Sequence, residues 1–89
     1  SFRHKGLRKF YEDGETRFLP AEEVGKIRRI LSYLEAVQKP ESMNLPGFHF
    51  HQLKGDYKGF YSVTVRANWR IIFRFADGNA LDVDYLDYH

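Results

Sequence analysis

From Phe48 to the end of the chain the apolar residues recur mostly at every second position, whereas before residue 40 they recur at every third or fourth. That change of period constrains the fold more than any other feature. A two-residue period needs a pleated strand with one covered face, and a 3.6-residue period needs a helix. The alternating part divides into FHFHQL (48–53), GFYSVTV (59–65), WRIIFRF (69–75) and ALDVDYL (80–86), all rich in β-branched and aromatic residues. Turn residues separate them: Lys54-Gly55-Asp56 through Gly59, then Arg66-Ala67-Asn68, then Asp77-Gly78, a dipeptide favoured in two-residue hairpins. Consecutive hairpins predict an antiparallel meander.

The earlier part predicts two helices. Residues 4–12 place Leu7, Phe10 and Tyr11 on one side with Arg8 and Lys9 outside, and Asp13-Gly14 ends the pattern. In the second segment Pro20 suits a first helical position and Glu22 and Glu23 suit the positive end of the helix dipole. Val24, Ile27, Leu31 and Leu34 then form a stripe widened by Ile30 and Val37, and Lys39-Pro40 closes it. The expected fold is α+β, with both helices packed on one face of the sheet. Eighty-nine residues are too few for two cores, so one domain over 1–89 is expected. Fifteen aromatic residues supply its interior, and the lack of cysteine excludes disulfides and thiolate metal sites. No apolar run is long enough to span a membrane and none reads as a secretory leader, so a cytoplasmic protein is expected.

Charge and pleat parity place the polar residues. All fourteen Lys and Arg and eight of the acids lie before residue 76, while residues 77–89 hold four aspartates and no base. A basic body suits a polyanionic partner. Trp69, Ile71, Phe73 and Phe75 share one side of their strand, taken as core, which leaves Arg70, Ile72 and Arg74 on the other. On the last strand Leu81, Val83 and Tyr85 are expected under the helices, with Asp82 and Asp84 on the open face, where Arg74 can pair with them.

His49 and His51 lie two apart on a predicted strand, but nothing nearby completes a metal site. Imidazole also serves acid–base work near neutrality. Three residues after His51 comes Lys54, at the mouth of a glycine-bearing turn. Histidine, lysine and a face of arginine suit phosphodiester cleavage, in which a hydroxyl loses a proton and a phosphorane needs cations.

SFRHKGLRKFYEDGET at the start, LPGFHFHQLKGDYKGFYSVTVRANWRIIFRF in the middle and DVDYLDYH at the end resemble the HigB toxins of the RelE/ParE superfamily, over essentially the whole chain. Members of that family usually begin about three residues earlier with Met and an apolar strand start, so part of a first strand is expected to be missing. The resemblance implies a toxin that enters the ribosomal A site and cuts mRNA without a metal or cofactor, the ribose 2′-hydroxyl attacking the adjacent phosphate. By motif match the catalytic set is His51, Lys54, Arg70, Asp87, Tyr88 and His89. His51 and His89 share the base and acid roles in an undecided order, and Lys54 and Arg70 steady the phosphate charge. Asp87 orients an imidazole or excludes wrong poses, and Tyr88 stacks on a base or donates its hydroxyl.

Arg66, Arg74, Arg28 and Arg29 are further RNA-contact candidates, each with a solvated or ion-paired surface role as the alternative. The implied partners are a HigA-type helix-turn-helix antitoxin, through which alone operator DNA is met, and the 70S ribosome with its mRNA. A toxin–antitoxin hetero-oligomer follows from that pairing. Rival readings are a ParE-like toxin that binds gyrase without cutting RNA, and a degenerate toxin that only binds its antitoxin. His51, Lys54 and His89 favour the nuclease. Straight continuation of the last strand turns Asp87 and His89 toward the helices, so the tail is expected to leave the strand after about Leu86 and swing to the face of His51 and Arg70.

Overall fold

In the computed structural model, which describes residues 1–88, two helices cover one face of a four-stranded antiparallel sheet in the order β1-β2-β3-β4. The helices are α1 (Lys5–Asp13) and α2 (Val24–Ala36); the strands are β1 (His51–Gln52), β2 (Tyr61–Arg66), β3 (Trp69–Ala76) and β4 (Asn79–Asp87). The expected α+β meander is the fold observed. Gly14 ends α1 in the left-handed conformation, φ 70°, its N–H donating to the Lys9 and Phe10 carbonyls. Pro20 precedes a short 3-10 turn, Ala21–Glu23, that runs directly into α2, and Ile27, Ile30, Leu31 and Leu34 bury the predicted stripe. Asp77 and Gly78 both take positive φ, as a type I′ hairpin turn requires.

Three expectations change. The strand foreseen over 48–53 shrinks to His51–Gln52, because Gly47 (φ 84°) and His49 (φ 48°) enter the left-handed region and break the extended backbone. Phe48 instead turns into the helix layer, fully buried, while its carbonyl still accepts from the Thr64 N–H at 2.7 Å. His49 and His51 therefore do not sit two apart on a regular strand.

A bulge in β4 changes its parity. Asp84 pairs with Ile72 but Leu81 pairs with Arg74, and Asp82 between them takes φ 52°. Leu81 thus faces the same way as Arg74, and Ala80 packs on the core with Val83 and Tyr85. The bulge lies where the first residues join the sheet edge: Phe2 bridges Val83 in parallel, and the Arg3 N–H donates to the Val83 carbonyl at 2.8 Å. Trp69, expected in the core, is 42% exposed at the end of the sheet, its ring tilted against Tyr85 with centroids 5.1 Å apart.

His4 is the N-cap of α1, its Nδ1 accepting from the Leu7 N–H at 3.1 Å. That nitrogen can accept only while unprotonated. Burial lowers the His4 pKa, against the opposing pull of the Asp84 carboxylate. Because folding lowers it, the unfolded chain binds the extra proton first as pH falls. The contribution is complete above the ordinary value of about 6.5 and is lost as pH drops from there through the folded-state value. Wild-type melting temperature is expected to fall more steeply from about pH 7 to about pH 5 than that of His4→Asn, whose amide caps without titrating; parallel curves would exclude His4 as a cause.

Gly6 makes room for this cap, since a Cβ there would lie 2.9 Å from His4 Cε1 and 3.0 Å from Phe18 Cβ. Gly6→Ala is expected to cost about 1–2 kcal/mol despite alanine's better helix propensity. Denaturant unfolding checks this, and a gain in stability would contradict it.

Candidate functional site

The face of the sheet turned from the helices is only partly open. Register places His51, Ser62, Ile72 and Asp84 in one row across it, and Thr64, Arg70 and Leu86 in the next. Ile72 has no exposed surface even so. The segment after β1 folds back over it: the Leu53 N–H donates to the Phe60 carbonyl at 2.8 Å, and Leu53 and Phe60 pack on Ile72. Tyr57, Leu86 and Tyr88 complete this second apolar cluster. It forms a floor beside which the polar side chains stand.

Arg70 is the best-held of them. Its Nη1 donates to the Ser62 hydroxyl at 3.2 Å, and its Cζ lies 5.9 Å from the centroid of the Tyr88 ring. Its Nε is buried with no hydrogen-bond partner among the described residues. Such an orphan donor ordinarily costs about 1–3 kcal/mol. The Tyr88 ring is set in turn by Tyr57, edge to face at 5.7 Å, and Tyr57 meets Phe60 the same way at 5.9 Å.

His51 is exposed, and its Nδ1 lies 2.7 Å from the His49 carbonyl. A carbonyl can only accept, so Nδ1 holds the proton in the neutral ring and Nε2 presents the lone pair. The left-handed turn at His49 is what aims that carbonyl. Lys54 is exposed one turn further on, where it precedes the 3-10 turn Gly55–Tyr57. Gly55 (φ 66°) and Gly59 (φ 93°) shape this connection, and only glycine adopts such angles without strain.

The tail departs from expectation. β4 does not leave the sheet after Leu86; it continues through Asp87, which pairs with Trp69, and the Tyr88 N–H donates to the Asn68 carbonyl at 2.9 Å. Simple alternation then puts Tyr88 on the face of Arg70 and Asp87 on the opposite face, beside Trp69. No swing is needed, because Asp87 is exposed at this end of the sheet. His89 lies outside the described residues.

The structure thus brings His51, Arg70 and Tyr88 to one face with Lys54 at its border, and sets Asp87 on the other. The further arginines are dispersed. Arg66 lies 3.6 Å from the buried Glu23 carboxylate and 4.0 Å from Glu22, at the start of α2. Arg74 pairs with Asp82 at 2.9 Å, the cross-strand bridge weighed as its structural role. Arg28 and Arg29 lie over the rings of Phe10 and Phe48 at 5.3 and 5.6 Å, on the helical side. Among the described residues no group of three or more His, Cys, Asp or Glu is placed to hold a metal ion.

Ser62 and Tyr57 hold the site's side chains, and neither was singled out from the sequence. For Ser62 the signal was present: a small polar residue between Tyr61 and Val63 in an otherwise β-branched and aromatic strand. For Tyr57 there was none, since it lies in a loop. If the floor supports the site, Ile72→Ala should cost about 2–4 kcal/mol and loosen residues 53–60. Hydrogen exchange reads the second effect; unaltered protection over that segment would separate floor from turn.

The family described as RelE-like toxin of type II toxin-antitoxin system HigB matches residues 1–89. Over 89 residues the chain is 43% identical to "Endoribonuclease HigB" of Proteus vulgaris, covering 100% of this chain and 97% of that protein. It is 38% identical over 90 residues to "Toxin HigB-1" of Vibrio cholerae serotype O1, covering 99% and 94% respectively.

Proposed function

The chain belongs to the HigB-like family of RelE-like toxins of type II toxin–antitoxin systems, and we propose that it is an endoribonuclease that cuts mRNA within the ribosomal A site and so halts translation. The observation that most supports this is the shared face of His51, Arg70 and Tyr88 on one rigid floor. A relative of 43% identity named as an endoribonuclease agrees with it.

The reaction is attack of a ribose 2′-hydroxyl on the adjacent phosphate, giving a cyclic phosphate and a free 5′-hydroxyl. One imidazole takes the proton of the attacking hydroxyl and another gives one to the leaving oxygen; His51, through Nε2, and His89 fill these roles. Arg70 and Lys54 stabilise the charge that grows on the phosphorane, where preformed cations act without reorganising. The Tyr88 ring, fixed between Arg70 and Tyr57, stacks on a base, an interaction worth about 1–3 kcal/mol. Asp87, from the end of β4, orients an imidazole or excludes wrong poses.

The ribosome presents the mRNA in the reactive pose. A HigA-type antitoxin neutralises the toxin and makes the DNA contacts of the complex, and the site of action is the cytoplasm. No helix of the described residues is long and apolar enough to cross a membrane.

Programmed ribosomes with end-labelled mRNA test the reading. Wild-type protein is expected to cut A-site mRNA and leave free mRNA largely intact. His51→Ala or removal of His89 should each slow cutting by about 10²–10⁴-fold, the usual contribution of general acid–base groups. Lys54→Ala should slow it with little change in stability, since this lysine is exposed. Intact A-site mRNA with the wild-type protein would overturn the assignment.

A further inference from the structure

Ser62 has no exposed surface, in a strand where Tyr61, Val63 and Val65 surround it. A β-branched apolar residue would fill such a position without burying a polar atom. Its hydroxyl accepts a hydrogen bond from Arg70 Nη1 at 3.2 Å. We propose that Ser62 is a positioning residue for Arg70: its hydroxyl sets the guanidinium so that the Nη groups, and not Nε, meet the reacting phosphate. The proposal rests on the nuclease reading above.

An arginine can meet a phosphate side-on, through Nε and one Nη, or end-on, through both Nη groups. Burial of the unpartnered Nε closes the side-on edge. What remains is an end-on approach whose direction is set by three contacts: Ser62 at Nη1, the Tyr88 ring near Cζ, and the packing around Nε. A free arginine side chain samples many rotamers, and each would hold the charge in a different place. Ser62 is also the register partner of His51 on the neighbouring strand. One backbone position therefore ties the cation to the imidazole, and misplacing such groups by about 1 Å can cost up to about 100-fold in rate.

Single-turnover cutting on programmed ribosomes should be measured for wild type, Ser62→Ala, Arg70→Ala and the double variant, each checked for a cooperative melt. Ser62→Ala is expected to slow the maximal rate about tenfold without changing the half-saturating ribosome concentration. Arg70→Ala should slow it further, and the double variant should match Arg70→Ala, because Ser62 acts only through the guanidinium. Cutting by Ser62→Ala at the wild-type rate, or a double variant slower again by the Ser62→Ala factor, overturns the proposal.

Side-chain ¹⁵N spectra of the free protein give a second readout. The Arg70 Nε–H should exchange slowly with water in the wild type and rapidly in Ser62→Ala. If wild-type protein leaves A-site mRNA intact, the nuclease reading falls and the spectra alone decide whether Ser62 places Arg70. An Arg70 signal unchanged in Ser62→Ala overturns that placement.

Discussion

Ile71, Ile72 and Phe73 follow one another in β3 with no exposed surface on any of them. Successive side chains in a strand point to opposite faces, so this strand can be dry only if something covers each face. The helices cover one. On the other, the segment from Leu53 to Phe60 folds back and Tyr88 packs beside it. Most of what is particular to this molecule follows from that second covering. It anchors the connection that bears Lys54, seats the ring against which Arg70 lies, and holds the end of β4 to the sheet. The same apolar contacts therefore stabilise the domain and set the geometry of the site.

The cations divide according to what they touch. Arg66 is drawn to the buried Glu23 at the start of α2, and Arg74 to Asp82 on the bulge. Tyr85 stands near the first of these pairs. Burial raises its phenol's pKa, the Glu23 charge adds to the rise and Arg66 opposes it. Lys26 is held low by burial and by Arg29, against Glu23, while its Nζ donates to the Gly47 carbonyl at 2.9 Å. These charges serve the fold. Arg70 differs because its partner is a neutral hydroxyl, which orients a guanidinium without neutralising it. A cation positioned in this way suits the phosphorane-stabilising role proposed for Arg70.

The bulge at Asp82 reconciles two demands on the last strand. Its far half must place Tyr85 on the helices and Leu86 and Tyr88 on the site face, while its near half must accept the first residues of the chain at its edge. One extra residue resets the parity between them. It also brings the Asp82 carboxylate to Arg74, and within 3.9 Å of Arg3. The acidic tail is thus balanced in part by arginines of its own domain.

Periodicity was enough to read both helices, the last two strands, the Asp-Gly hairpin and the burial of Ile27, Ile30, Leu31, Leu34, Ile71 and Phe73, because these depend on neighbours a few residues apart. The resemblance of motifs went further and named candidate site residues. Neither could place Ile72, Trp69, Leu81 or the tail. Strict alternation put Ile72 on an open face, since no local pattern announces that residues 53–60 fold back over it. It put Trp69 in the core and had the tail leave the sheet after Leu86, whereas β4 continues through Asp87, since the pattern of one chain does not say which end positions of a sheet stay exposed. The His49 turn that fixes the His51 tautomer, and the partnership of Ser62 with Arg70, likewise join residues whose spacing has no repeat. Sequence alone determined which elements form and in what order. Tertiary structure decided which face each polar group meets, because that depends on what lies across the sheet.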